Sequence, residues 1–304
     1  MSRPAGDAED PLDRLAAEED WTKRVRDVEN EVVRGRRMRA LRPSRLGRSG
    51  RSGERGGISL LFLALVAVTV GTGVLMWTGV GPAGPLVFVF TLAGWLVTLC
   101  LHEFSHALAA HRGGDHTVVE KGYLRLDLRR YGHPVLTWVL PLLFLVMGGL
   151  PLPGGAVLIE THRLRNRFRD SLVSAAGPAI NVAAAVLLLF VAGTFGPFFV
   201  FDAPPAQAVF WGALTLMAYL QVATALLNLL PVPGLDGYGI IEPYLPPNAR
   251  RTGERIKPFG LILVFVLLYV LRGPFGELTS FIMHASGAPI NGAFYGFMLF
   301  RFWQ

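Results

Sequence analysis

The residues best able to do chemistry lie together in Cys100-Leu101-His102-Glu103-Phe104-Ser105-His106. His102 and His106 are four positions apart, so on a helix they leave one face one turn apart. Neutral imidazoles at that spacing can grip one zinc ion. Glu103 stands beside the first of them and can take a proton from a water at the metal. The cluster follows an uncharged run from Ile58 to Leu101. Ionisable residues in a membrane helix are costly and rarely lack a function. The blander alternative is a helix end whose His and Glu meet lipid headgroups.

A hydrolytic zinc needs a third protein ligand and one open position. Asp236, in Asn228-Leu229-Leu230-Pro231-Val232-Pro233-Gly234-Leu235-Asp236-Gly237, is the first charge after a stretch uncharged since Ala203. Two prolines and two glycines break the helix there and let the backbone turn the carboxylate inward. The alternative for Asp236 is a turn residue that only ends the helix. A further candidate, Asn181, closes Ala175-Ala176-Gly177-Pro178-Ala179-Ile180-Asn181. Buried, it can donate to a developing oxyanion or hold a substrate backbone. Equally, it can make an interhelical hydrogen bond that only packs the bundle. His111, His116, His133 and His162 match no ligand position, and His111 turns off the ligand face of a straight helix.

The elements that must position these groups follow from composition. The 304 residues are 52% hydrophobic and 17% charged, a balance that fits a polytopic membrane protein and excludes an ordinary soluble enzyme. The spacing of apolar runs predicts helices over 58–79 and 85–111, parted by the VGPAGP break. Further apolar stretches cover 134–150, 171–201, 203–235, 258–271 and 277–302. A span needs about 20 apolar residues. The fold expected is therefore an all-α polytopic membrane protein of about six transmembrane helices. A small β or re-entrant element, residues 115–160, lies between the second and third. Alternation in Tyr123-Leu124-Arg125-Leu126-Asp127-Leu128-Arg129 predicts a strand there.

Three regions result: a hydrophilic extension at 1–57, a membrane-embedded core at 58–238, and a C-terminal loop and helices at 239–304. Within the extension, Asp13 to Arg39 can form an amphipathic helix. No secretory signal peptide is visible, and the single cysteine, Cys100, gives no internal disulfide. Nine arginines against one acid between Val32 and Gly57 read as an arm on anionic lipid beside the first span, rather than as a nucleic-acid surface. Arginines also concentrate at 161–170 and 250–257. Placing basic segments inside gives a multi-pass protein of the plasma membrane with a cytoplasmic N-terminus. Residues 112 and 163 must then share a side, so 134–150 is not a lone crossing.

Three motifs in this order, HEFSH at 102–106, AAGPAIN at 175–181 and NLLPVPGLDG at 228–237, resemble the site-2 protease family of intramembrane zinc metalloproteases. The resemblance covers about residues 85–240, with GLPLPGGAVLIE at 149–160 similar to the family's connecting region. It implies one zinc ion per chain held by His102, His106 and Asp236, with Glu103 activating water. Asn181 matches the family's GPxxN position as a pattern. It also implies cleavage of single-span membrane-protein substrates, such as an anti-sigma factor or a membrane-tethered transcription factor. Residues 123–129 or 156–160 are candidate edges on which an unwound substrate pairs. Two rival readings are a metal-binding transporter and an inactive scaffold that binds membrane partners. The transporter reading lacks a repeat between the two halves, and the intact His-Glu-His set with Asp236 weighs against the scaffold.

Overall fold

The computed structural model describes residues 57–131, 157–197 and 200–303. The extension up to residue 56, His133 and the 134–150 segment lie outside the described residues.

Among the described residues, four helices are long and apolar enough to cross a membrane. They are α1 (Leu60–Thr78), α2 (Ala83–Gly113), α3 (Arg167–Phe195) and α4 (Pro205–Asn228). Even the shortest, 19 residues, extends about 28 Å at 1.5 Å per residue, close to the hydrocarbon thickness. The Ser59 hydroxyl accepts from the Phe62 N–H to start α1, and Gly79 ends it with φ +76°, a conformation only glycine adopts freely. Asn166 caps α3 by accepting from the Arg169 N–H at 2.9 Å.

Beyond α4 come α5 (Asp236–Ile241), α6 (Pro247–Ile256), α7 (Gly260–Val270), α8 (Arg272–Ala285) and α9 (Ile290–Phe300). Ile262–Val270 and Gly273–Ala285 together have the length of a span but bend by 77°, as a broken span or re-entrant loop would. α9, with 11 residues, is too short to cross alone. The described residues thus hold four candidate spans, or five with the bent pair, where the sequence suggests about six.

α4 is the hub. In its apolar window 78% of the residues are buried, against 17% in α1; α1, α2, α3, α8 and α9 all pack against α4, and α1 lies at the edge. α9 reaches α4 through small residues: a β-carbon on Gly292 would lie 2.6 Å from Thr215 Oγ1, and one on Gly296 would overlap the Gly212 carbonyl. Such close approach is how helices pack where no water drives them together. Outward, Val186, Leu187 and Phe190 of α3 are each about 60% exposed. That surface would aggregate in water and suits lipid.

The expected strand at 123–129 is shorter. Only Arg125–Leu126 (β2) pairs, in parallel, with Gly57–Ile58 (β1). The strand stops because Asp127 accepts from the Arg129 N–H and guanidinium, turning Leu128–Arg130 into a 3₁₀ turn. A local side-chain bond of this kind competes with a sheet ladder. At the far side of this region the Arg165 N–H donates to the Gly113 carbonyl at 3.1 Å. The end of α2 and the approach to α3 therefore lie together, as the parity of the basic segments requires.

Candidate metal centre

α2 places His102 and His106 one turn apart on its buried face, and both rings are almost wholly enclosed. Asp236 reaches them from the first turn of α5. The break after α4 makes this possible. Gly234 has φ +103°, and a β-carbon on Gly237 would overlap the Leu229 carbonyl, so the chain folds back tightly enough to aim Asp236 at α2. α3 fastens α5 in place: the Ser171 hydroxyl donates to the Ile240 carbonyl at 2.6 Å.

The three donor groups form a compact triangle. His102 Nε2 and His106 Nε2 are 3.1 Å apart, Asp236 Oδ2 lies 3.3 Å from His102 Nε2, and Oδ1 lies 3.4 Å from His106 Nε2. Ligands about 2.0–2.1 Å from a tetrahedral zinc stand roughly 3.3 Å from one another. The residues present therefore fit zinc by spacing and by donor type, two imidazoles and a carboxylate. Nothing larger than hydrogen fits at Gly177 of α3: a β-carbon there would overlap His106 Nε2 and lie 2.5 Å from His102 Nε2.

Each ring is held from behind. His106 Nδ1 is 2.7 Å from the Val173 carbonyl, which can only accept, so this nitrogen carries the proton and Nε2 keeps its lone pair. His102 Nδ1 is 2.6 Å from Asn181 Oδ1. Such partners fix the tautomer and ring orientation of a ligating histidine. Asn181 thus touches a ligand ring directly, and its Nδ2 donates to Gln221 Oε1 at 3.0 Å.

Glu103 is 3% exposed and receives a hydrogen bond from the Val157 backbone amide. Val157 opens the stretch 157–160, which is braced from its other side. Lys121 Nζ donates to the Leu158 carbonyl at 2.8 Å, and the Glu160 N–H donates to Asp115 Oδ2 at 2.9 Å.

His111, His116 and His162 sit elsewhere. His111 and His116 pair with each other, Nδ1 to Nδ1 at 3.3 Å, on the surface, and His162 lies beside Glu160. Of the 123–129 segment, the Leu126 carbonyl accepts from the Ser59 N–H and the Arg125 carbonyl from the Tyr131 hydroxyl. Asp127 is buried, although the alternation would put it on the strand's polar face. The sequence by itself does not single out Val173 or Gln221. Gly177 left a signal, a glycine before a proline inside an apolar run.

Comparison with known proteins agrees with this geometry. The model of peptidase family M50 matches residues 90–271. A protein of Mycolicibacterium smegmatis named "Putative zinc metalloprotease Rip2" is 43% identical over 250 residues, covering 80% of this chain and 93% of that protein. The protein of the same name from Mycobacterium tuberculosis is likewise 43% identical over 250 residues, with the same coverage. "Putative zinc metalloprotease YwhC" of Bacillus subtilis is 31% identical over 198 residues, 63% of this chain and 84% of that protein. No solved structure matches the chain significantly.

Proposed function

The chain belongs to peptidase family M50, the site-2 protease family, and on that premise we propose that it is an intramembrane zinc metalloendopeptidase. The observation that carries the proposal is the triangle of His102, His106 and Asp236 at tetrahedral spacing, with Glu103 next along the same helix. Zinc bound there would supply Lewis acidity toward the scissile carbonyl and acidify the attacking water. His102, His106 and Asp236 hold the ion. Glu103 takes the proton of the attacking water and passes it to the leaving amine. Asn181 orients His102.

The substrate is a single-span membrane protein whose helix unwinds locally, because helical carbonyls are otherwise hydrogen-bonded. Among the two candidate edges, 157–160 has the better geometry. Alternate residues of an extended segment point to opposite sides. The Leu158 carbonyl and the Glu160 N–H are engaged by Lys121 and Asp115 on one edge, while the Val157 N–H on the other edge reaches Glu103. An extended substrate pairing there would present its carbonyls beside the metal. On the 123–129 edge, β1 already occupies one side. An anti-sigma factor or a membrane-tethered transcription factor fits this substrate class. Membrane lipid surrounds the four spans, and no nucleic-acid partner is proposed. The reading has the N-terminus and the metal centre at the cytoplasmic side of the plasma membrane, an orientation that the basic segments support.

Purified full-length chain in lipid, presented with a panel of single-span proteins, tests the proposal. Zinc-dependent cleavage within or beside the span of a panel member is expected. Zinc-loaded protein that cuts only soluble, unstructured peptides would overturn the intramembrane reading.

A further inference from the structure

The two ligand histidines are oriented by different devices. His106 meets a backbone carbonyl directly. His102 meets an amide, and an amide can be turned either way round. Something must fix its direction. The Thr98 hydroxyl donates to the Trp95 carbonyl at 2.9 Å. A hydroxyl has one proton, and a carbonyl can only accept. The Thr98 oxygen is therefore left to accept, and it does so from Gln221 Nε2 at 2.8 Å. This turns Gln221 Oε1 toward Asn181, whose Nδ2 donates to it at 3.0 Å. Asn181 Oδ1 must then face His102 Nδ1 at 2.6 Å, so that nitrogen carries the proton and Nε2 keeps its lone pair on the side of Asp236. Gln221 is fully buried and Asn181 nearly so, so water does not compete along the relay.

We infer that Gln221 and Thr98 are positioning residues, which set the direction of a relay from the Trp95 carbonyl and hold His102 in its metal-binding tautomer. The relay leaves α2 at Thr98, crosses α4 and α3, and returns to α2 one turn further on, at His102. Run backwards, it would draw the Thr98 proton away from Trp95 and place a proton on His102 Nε2, where a ligand lone pair is needed. The inference rests on the metal-centre reading and adds to it residues that touch neither metal nor substrate.

Zinc affinity of the full chain in detergent, measured by competition with a chromophoric chelator, tests it without any cleavage assay. Gln221→Met keeps volume and loses the two hydrogen bonds of the relay along with the weak one to Met217 Sδ. Thr98→Val removes only the hydroxyl. Both should weaken zinc binding about tenfold, the low end for outer partners of a metal site. Gln221→Glu, protonated in this buried position, can still donate to Thr98 and accept from Asn181, and should bind within about threefold of the native chain. A residue that merely packs predicts the reverse order, with methionine tolerated and glutamate disruptive. Native zinc affinity in Gln221→Met or Thr98→Val overturns the inference, as does Gln221→Glu losing as much as Gln221→Met. If Gln221→Met fails to fold, Thr98→Val decides alone. Failure of the underlying metal reading shows separately, as a native chain that binds no zinc or a His102→Ala, His106→Ala chain that binds it equally well.

Discussion

Gly177 of α3 faces His106 of α2 so closely that a β-carbon on Gly177 would overlap the ring nitrogen aimed at Asp236. Two helices brought this near make the ligand triangle a property of their packing. α2 alone would supply two histidines free to turn. Pressed against α3, it supplies two rings with fixed faces, because Val173 and Asn181 of α3 hold their far nitrogens.

Gly177→Ala is therefore predicted to remove most of the bound zinc, because the methyl group displaces both rings. Elemental analysis of the purified variant checks this. About one zinc per chain retained in Gly177→Ala would show that the rings can shift without loss of the site.

The brace under Glu103 should be insensitive to pH across the neutral range. Burial raises the pKa of Asp115, but its hydrogen bonds from Thr117 and Glu160 outweigh this and leave it below the ordinary value. The hydrogen bonds from Arg163 and Lys121 hold Glu160 down to about 2. A carboxylate lowered on folding contributes stability above its unfolded pKa and loses it as pH falls through the folded one. Protection of the 157–160 amides, corrected for intrinsic exchange, should stay level from about pH 8 to 5 and fall only below about 4. Asp115→Ala should reduce it at neutral pH by about 1–3 kcal/mol, the cost of stranding buried donors. A loss of native protection between pH 7 and 5 would mean that other groups hold the segment.

Much of the site was legible in the sequence because its spacing is local. His102, Glu103 and His106 need only one turn of helix, and Asp236 announced itself as a charge at the end of a long uncharged run. What stayed hidden depends on contacts between distant segments. Gln221 is one of several polar residues in a mostly apolar helix, and only the fold shows that it joins Thr98 to Asn181. The strand misled through its alternation: Asp127 has the right polarity for an exposed face, yet it caps a 3₁₀ turn and is buried. Span number was harder to read. Apolar length alone does not tell a crossing from the bent pair α7–α8.

Topology offers an independent check. With Cys100, buried in the core, replaced by alanine, single cysteines at His162 and Arg251 should both react from the cytoplasmic side, as the basic segments demand. Labelling of position 162 from the outer side would contradict the shared side that the Arg165–Gly113 hydrogen bond implies for these helix ends.

In the proposed reaction Glu103 moves the proton while His102, His106 and Asp236 hold the metal. Measuring zinc content and cleavage of a co-expressed single-span substrate in the same Glu103→Gln preparation tests it most directly. About one zinc per chain is expected, with cleavage lowered about 10²- to 10⁴-fold, the usual contribution of a general base. Native cleavage by the zinc-loaded Glu103→Gln protein would contradict it.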